Sequence, residues 1–209
     1  MAVVGDTRAR TAARPRPPAA AVRLAILDAT VRIIGRAGVA AVTHRAVAAE
    51  AGVSLSSTTY HFASKDEIIG EALRRVAAIE IESAAQDAAG FAARDDVRDP
   101  ASFAELLLDW LCPQLEGERL LTVRAGYHLQ LEAAHRAELR AIHRAWTARV
   151  LDVAQAALTL CGAADPPRDA HILATMIDGL RLEQLTDPQP RFRERARPLL
   201  VRLVTALAD

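Results

Sequence analysis

The sequence predicts an all-α protein, and three observations support this. Residues 127–161 contain neither Gly nor Pro, and residues 63–89 contain a single Gly, so long stretches lack the residues that interrupt helices. Apolar residues recur at helical spacing, and the apolar–polar alternation of strands is absent. We expect about nine helices, arranged as a three-helix N-terminal domain over residues 21–66 and a larger helical domain over residues 67–209.

The first twenty residues have a composition that cannot build a core. They hold four Arg and three Pro, so we expect residues 1–20 to form a disordered basic tail. Two interpretations stay open, a solvated start of the chain and an arm that enters a minor groove of DNA. The first helix is predicted over residues 21–37, where Ile26, Ile33 and Ile34 lie on one face.

Residues 43–62 predict two short helices around a tight turn. Thr43 can cap the first helix by accepting a backbone N–H, and Gly52 can end it in the left-handed conformation. Ser54 can cap the second helix, and Leu55 to Tyr60 then carry hydroxyls where a core helix would be apolar. A short second helix with such a polar face is typical of a helix-turn-helix motif that contacts DNA.

The same segment resembles the N-terminal domain of TetR-family transcriptional repressors. The resemblance covers roughly residues 23–73 and rests on Ala37-Gly38-Val39, Ala51-Gly52-Val53, Tyr60-His61-Phe62 and Ser64-Lys65-Asp66-Glu67, in that order. Many family members carry a phosphate-contacting aromatic residue at the position of Thr59, whereas here the aromatic residue is Tyr60. The expected contacts with bases or phosphates are Thr43, Arg45, Ser54, Leu55, Ser56, Ser57, Thr58, Thr59, Tyr60, His61 and Lys65.

Charge is distributed unevenly along the chain. The totals balance at 26 basic and 26 acidic residues, but residues 1–65 hold nine Lys or Arg against three Asp or Glu, and residues 66–209 hold seventeen against twenty-three. Phosphate backbones attract a positive domain regardless of base sequence. The pattern favours a double-stranded DNA partner for the N-terminal domain, although solvated faces of unrelated helices would also produce it.

The helices of the second domain are predicted from caps and breakers. Ser64 and Glu67 predict a capping box at the start of a long helix that runs to about Ala88 and joins the two domains. Residues 90–100 are predicted to be a loop because they are rich in Asp. Further helices are predicted over 101–112, 118–134, 135–161 and 168–186, with a last helix that begins between Arg191 and Pro198; no Gly or Pro marks the break near residue 135.

The last two helices carry a long apolar stripe. An intrachain core and a subunit interface explain it equally well from periodicity alone. The resemblance favours the interface, since such repressors pair their last two helices with those of a second subunit. We therefore expect a homodimer on a roughly palindromic operator. The predicted interface residues are Ile172, Leu173, Met176, Ile177, Leu180, Leu199, Leu200, Leu203, Val204 and Leu207.

The resemblance also implies a small-molecule site in the second domain. In the family, a pocket between the domain-joining helix and the helices after it receives a small molecule that changes the spacing of the DNA-binding domains. Because the chain has few aromatic residues, we expect an aliphatic pocket with one or two polar anchors and a small amphipathic effector. The candidate residues, each of which a core position would also explain, are Phe103, Leu107, Trp110, Arg124, Tyr127, His128, Leu131, Trp146 and Met176.

A metal-responsive regulator is the alternative. His128, Glu132 and His135 follow i, i+4, i+7 spacing on one helix face, where they could share a metal. Equally, Glu132 could pair with Arg136 while both histidines face solvent, so the expected metal set is none.

Other classes of function lack their motifs. There is no P-loop, dinucleotide fingerprint, GxSxG elbow or HExxH, so we expect neither an enzyme nor a cofactor. Cys112 and Cys161 stand far apart in helical surroundings, as reduced thiols would. No apolar run approaches the length of a membrane span, and we expect a cytoplasmic protein without a membrane partner.

Overall fold

The computed structural model describes residues 18–92 and 97–208, and these ranges contain nine α-helices and no strand. This confirms the predicted all-α fold, in which an N-terminal helix-turn-helix domain precedes a helical C-terminal domain. Residues 1–17 of the predicted tail lie outside the described ranges. The helices are α1 (Ala19–Ala37), α2 (His44–Ala51), α3 (Leu55–His61), α4 (Lys65–Ala92), α5 (Pro100–Leu111), α6 (Gly117–His135), α7 (Ala137–Cys161), α8 (Pro166–Thr186) and α9 (Phe192–Ala208).

Several helix boundaries differ from the sequence-based expectation. The helix α1 begins at Ala19, so the last two residues of the predicted disordered tail are helical. The helix α4 ends at Ala92 rather than near Ala88, so it includes Gly90, which the sequence predicts to lie in a loop. A single Gly inside a helix costs about 1 kcal/mol, which the rest of a long helix can offset. The helix α8 begins at Pro166 rather than Arg168, because a proline fits the first helical turn, where its missing N–H is not needed.

The break between α6 and α7 falls at Arg136, a position that no Gly or Pro marks. Its backbone is extended, with φ −124° and ψ 113°. Its guanidinium lies 3.2 Å from the carboxylate of Asp66 in α4 and 3.0 Å from that of Glu138. A tertiary ion pair therefore accompanies this interruption.

Buried apolar side chains form two clusters. The first joins α1, α2 and the start of α4 to α6 and the first half of α7; Ile34 and Leu129 are among its fully buried members. The second joins α5, the end of α7, α8 and α9. The helix-turn-helix therefore shares a core with α6 rather than forming a separate unit.

A glycine brings α1 and α6 into close contact. A Cβ atom built on Gly35 would lie 2.2 Å from the carbonyl oxygen of Leu121. Gly38, which follows α1, has φ 77°, and a Cβ there would lie 3.4 Å from the ring of His128. Backbone thus packs on backbone where the N-terminal domain meets α6.

No helix in the described ranges combines the length and hydrophobicity needed to cross a bilayer. The two cysteines are free thiols, Cys161 buried and Cys112 half-buried. Burial raises the pKa of both thiols, which keeps them protonated and weakly nucleophilic.

Candidate functional site

The helix-turn-helix forms through local hydrogen bonds, as the sequence predicted. The hydroxyl of Thr43 accepts the N–H of Ala46 at 3.1 Å, and Gly52 ends α2 in the left-handed conformation with φ 66° and ψ 30°. The hydroxyl of Ser54 accepts the N–H of Ser57 at 3.1 Å. These caps set the angle between α2 and α3, because they satisfy the backbone groups that each helix end leaves free.

One face of α3 is open to solvent. Tyr60 is 81% exposed and Leu55 is 48% exposed, and both lie beside the exposed side chains of Ser56 and Thr59. The Tyr60 ring packs edge-on against His61 at a centroid distance of 5.1 Å. This face combines hydroxyls, a phenol and an aliphatic side chain, the groups that can contact base edges and thymine methyls.

Thr58 is the one predicted contact that the structure buries completely. Its hydroxyl donates to the carbonyl oxygen of Leu55 at 2.8 Å and lies 3.2 Å from the Nδ1 atom of His44. Together with Phe62, which is also buried, it holds α3 against the rest of the domain. Thr58 is therefore a packing residue and not an accessible DNA contact, which corrects the prediction from the sequence. His44, which the sequence did not single out, packs beside it.

Ion pairs leave two cations free beside this face. Arg23 lies 2.7 Å from the carboxylate of Glu71. Arg32 lies 2.8 Å from the carboxylate of Glu50, and Arg36 pairs with the same carboxylate. Hydrogen bonds from Arg32 and Arg36 lower the pKa of Glu50, so its carboxylate stays ionised.

Arg45 and Lys65 have no ion-pair partner among the described residues. The ammonium of Lys65 donates only to the carbonyl oxygen of Ala40, at 3.4 Å. Of the five Lys or Arg between residues 18 and 65, these two keep a positive charge that no nearby carboxylate neutralises. Positive charge that is not neutralised within the protein is the kind that can attract phosphate.

A cavity of about 100 Å³ lies between α4, α5, α7 and α8. Its wall is mostly aliphatic, and one end carries Trp110, Asp178 and Arg181. Of the predicted pocket residues, Leu107 and Trp110 line it, and the Tyr127 hydroxyl donates to Asp178 at 3.3 Å. The full lining is Ala84, Leu107, Trp110, Val150, Val153, Ala154, Ala157, Leu173, Ala174, Ile177, Asp178 and Arg181.

The other predicted pocket residues lie elsewhere. Phe103 is fully buried in the second cluster and Trp146 is buried in the first. Met176 lines a groove on the outer side of α8, and Arg124, His128 and Leu131 do not line the cavity.

The sequence did not predict the charged end of the cavity. Arg181 is buried, and its guanidinium carbon lies 4.8 Å from the centroid of the Trp110 ring. Its Nη1 atom lies 3.6 Å from the carboxylate of Glu80 in α4 and 4.0 Å from that of Asp178, and its Nη2 atom donates to Gln114. The signal available in the sequence was an Asp and an Arg three positions apart, Asp178 and Arg181, each directly after an apolar residue of the stripe on α8.

The predicted interface stripe divides into two faces. Ile172 and Leu199 are 41% and 47% exposed, and Met176 and Leu203 are half-buried. The outward residues of α8 and Leu199 line an open groove. The remaining six are buried within the chain, namely Leu173, Ile177, Leu180, Leu200, Val204 and Leu207.

The proposed metal set is not assembled. Among the described residues, no three His, Cys, Asp or Glu side chains come together as metal ligands. This corrects the alternative built on His128, Glu132 and His135. The side chain of Arg136 is turned to Asp66 and Glu138 rather than to Glu132.

Comparisons with known proteins cover both halves of the chain. Residues 26–72 match the family described as "Bacterial regulatory proteins, tetR family", and residues 98–206 match "Tetracyclin repressor-like, C-terminal domain". The HTH-type transcriptional regulator BetI of Rhizobium meliloti (strain 1021) is 28% identical in an alignment of 180 residues, and the match covers 80% of this chain and 80% of that protein. A solved TetR-family member from Streptomyces coelicolor A3 is 36% identical, with a TM-score of 0.65, over 87% of this chain and 97% of that one. The multidrug binding protein EbrR, solved with ethidium, is 35% identical, with a TM-score of 0.59, over the same shares.

Proposed function

The chain belongs to the TetR family of bacterial transcriptional regulators, and from this premise we propose that it is a repressor that binds a palindromic operator as a homodimer. We further propose that a small molecule bound in the C-terminal half changes its affinity for DNA. Because the partner is chromosomal DNA, the protein acts in the cytoplasm. The observation that carries the proposal is the exposed polar face of α3 beside Arg45 and Lys65.

In this scheme, α3 contacts bases and its neighbours contact phosphate. Tyr60 and Ser56 reach bases or phosphates, and Leu55 meets a thymine methyl. The proposed set, without Thr58, is Thr43, Arg45, Ser54, Leu55, Ser56, Ser57, Thr59, Tyr60, His61 and Lys65. Both Thr59 and Tyr60 are exposed, so either side chain has access to the backbone of the operator.

Dimerisation follows from the small footprint of one α3 helix. A helix of seven residues covers only a few base pairs, whereas specific sites are separated from non-specific DNA by about 4–10 kcal/mol. Two copies double the contact, and their two-fold symmetry requires half-sites about one helical turn apart, or a multiple of it. The outward face of α8 and α9, with Ile172, Met176, Leu199 and Leu203, is the proposed interface.

The cavity is the proposed effector site. The protein EbrR has been solved in complex with ethidium, proflavin and malachite green. Here α4 is continuous from Lys65, beside α3, to Ala84, in the cavity wall. A molecule that prefers one position of α4 therefore biases the DNA-binding helices, with a coupling free energy of about 1–3 kcal/mol for ordinary allostery.

Operator binding tests the proposal through two substitutions. The DNA flanking the protein's own coding region is footprinted, and the protected fragment is used in fluorescence anisotropy at several salt concentrations. We expect Tyr60→Ala to weaken cognate binding by about 1–3 kcal/mol. We expect Lys65→Ala to weaken binding to all sequences alike and to lower the salt slope by about one.

Arg149→Ala is the matched control for loss of charge. Arg149 is exposed in α7, and its one ion-pair partner in the described part of the chain is Asp152, at 3.0 Å, so its removal should leave the salt slope unchanged. If the Tyr60→Ala and Lys65→Ala variants bind the cognate site as tightly as the wild type does, the proposal that α3 contacts the operator is wrong.

A further inference from the structure

We propose that the cavity binds an organic cation, which takes the place that the guanidinium of Arg181 occupies on the face of Trp110. This inference rests on the proposed effector function and specifies the charge of the ligand. The side chain of Arg181 lies 4.8 Å from the Trp110 ring centroid, between the carboxylates of Glu80 and Asp178. An aromatic face flanked by carboxylates is the chemistry that recognises ammonium groups.

The charges around Arg181 favour a cation over an anion. Two carboxylates face one guanidinium, and the Tyr127 hydroxyl adds a hydrogen bond to Asp178. Burial raises the pKa of Glu80, so its ionised form is poorly compensated where it lies. A ligand cation in the place of the guanidinium keeps a positive charge beside both carboxylates, whereas an anionic ligand there would leave both without a positive partner.

Arg181 fills its place incompletely. Its Nη atoms face Glu80, Asp178 and Gln114. Among the described residues, however, neither its buried Nε atom nor the Nε1 atom of Trp110 has a hydrogen-bond partner. An unsatisfied buried donor is unfavourable, because its lost hydration is not replaced. Movement of Arg181 towards solvent hydrates its Nε atom, which lowers the free energy needed to displace it.

The volume of the cavity also requires that a wall residue moves. About 100 Å³ holds a few water molecules, whereas small-molecule sites measure about 300–1,000 Å³. A second pocket of about 240 Å³ has Glu80 and Gln114 in its wall. Arg181 contacts both of these residues from the side of the first cavity. Its displacement would join the two spaces into one of adequate size.

The same displacement affects α4. The contact between Arg181 and Glu80 links α8 to α4, and a ligand cation that replaces the guanidinium breaks this direct contact between the two helices. The rest of the cavity is lined by aliphatic side chains such as Leu107, Val150 and Ile177. The ligand class is therefore an ammonium or similar cation with an apolar body.

Two probes with alkyl tails of similar length and head groups of opposite charge test the inference. Calorimetry and thermal shift are measured on the full chain, without DNA, using octyltrimethylammonium and octanoate. We expect the cation alone to bind the wild type. We expect Arg181→Met to raise the affinity for the cation about tenfold. This is the change expected if the guanidinium occupies the site in about 90% of wild-type molecules, so that only about 10% are free to bind. Arg149→Met, which alters an exposed arginine that does not line the cavity, should leave the affinity unchanged.

Two further variants keep the test decisive if Arg181→Met folds poorly. Trp110→Leu and Asp178→Asn should each weaken binding of the cation, and the Asp178 side chain is 58% exposed, so its amide analogue is well tolerated. Octanoate binding that is lost in Arg181→Met would overturn the inference, as would the absence of cation binding by wild type. Either result would leave operator binding, measured separately, intact; loss of operator binding alone would instead contradict the proposed function.

Discussion

Replacing Gly35 with Ala tests whether α1 and α6 are held closer than a side chain permits. The added Cβ would lie 2.2 Å from the carbonyl oxygen of Leu121 and 2.8 Å from its carbonyl carbon. Both are backbone atoms, so no side-chain rotation can relieve the overlap. The two helices would have to separate by about 1 Å before the contact became an ordinary one.

The expected effect is the difference between two opposing contributions. Overpacking of a closely packed contact costs about 1–3 kcal/mol, occasionally more, and Ala is favoured over Gly inside a helix by about 1 kcal/mol. Because the overlap is severe and falls on backbone, we place the overpacking cost at its upper end. Gly35→Ala should therefore lower the free energy of unfolding by about 2 kcal/mol.

Gly70→Ala is the matched control. Gly70 is a buried residue of α4, where an added Cβ would lie 3.7 Å from the side chain of Leu139, an ordinary van der Waals distance. The same substitution should there raise the free energy of unfolding by up to about 1 kcal/mol. Urea unfolding followed by circular dichroism measures both variants at one protein concentration. A Gly35→Ala variant as stable as Gly70→Ala would refute the close approach of α1 and α6.

Three further predictions concern charge and assembly. Glu50→Gln should be less stable than wild type at neutral pH, and the difference should vanish below the lowered pKa of Glu50, since its contribution exists only when it is ionised; urea unfolding across pH measures this. Burial raises the pKa of Glu80, so wild-type stability should fall as pH rises from about 4.3 towards that raised value, and Glu80→Gln should flatten this fall in the same pH series. Leu199→Glu should give a folded monomer in sedimentation velocity, because Leu199 is 47% exposed in the single chain; a persistent dimer would exclude the outer face of α9 from the interface.

The helix-turn-helix was predictable because its signals are local. Thr43 and Ser54 each accept an N–H three residues away, and Gly52 ends α2 through its own φ. The burial of Thr58 was not predictable from residue type, since its neighbours are hydroxyl residues too. Packing of α3 places Thr58 and Phe62, four residues apart, on the inner face.

The break at Arg136 and the cavity network show the opposite situation. Arg136 interrupts a stretch without Gly or Pro, and its partner Asp66 lies seventy residues earlier in the chain. Glu80, Gln114 and Arg181 stand on three different elements. No spacing rule connects such residues, because periodicity describes neighbours on one helix only.

The amino-acid sequence by itself determined the helical class, the helix-turn-helix with its caps, and the family. Each of these depends on interactions within a few residues or on the order of short motifs. Tertiary structure alone decided which hydroxyl turns inward, how the stripe of α8 and α9 divides between core and surface, and where a buried arginine meets Trp110. The physical reason is that helix packing fixes the rotation of each helix about its axis. That rotation decides which side chains from distant segments come into contact.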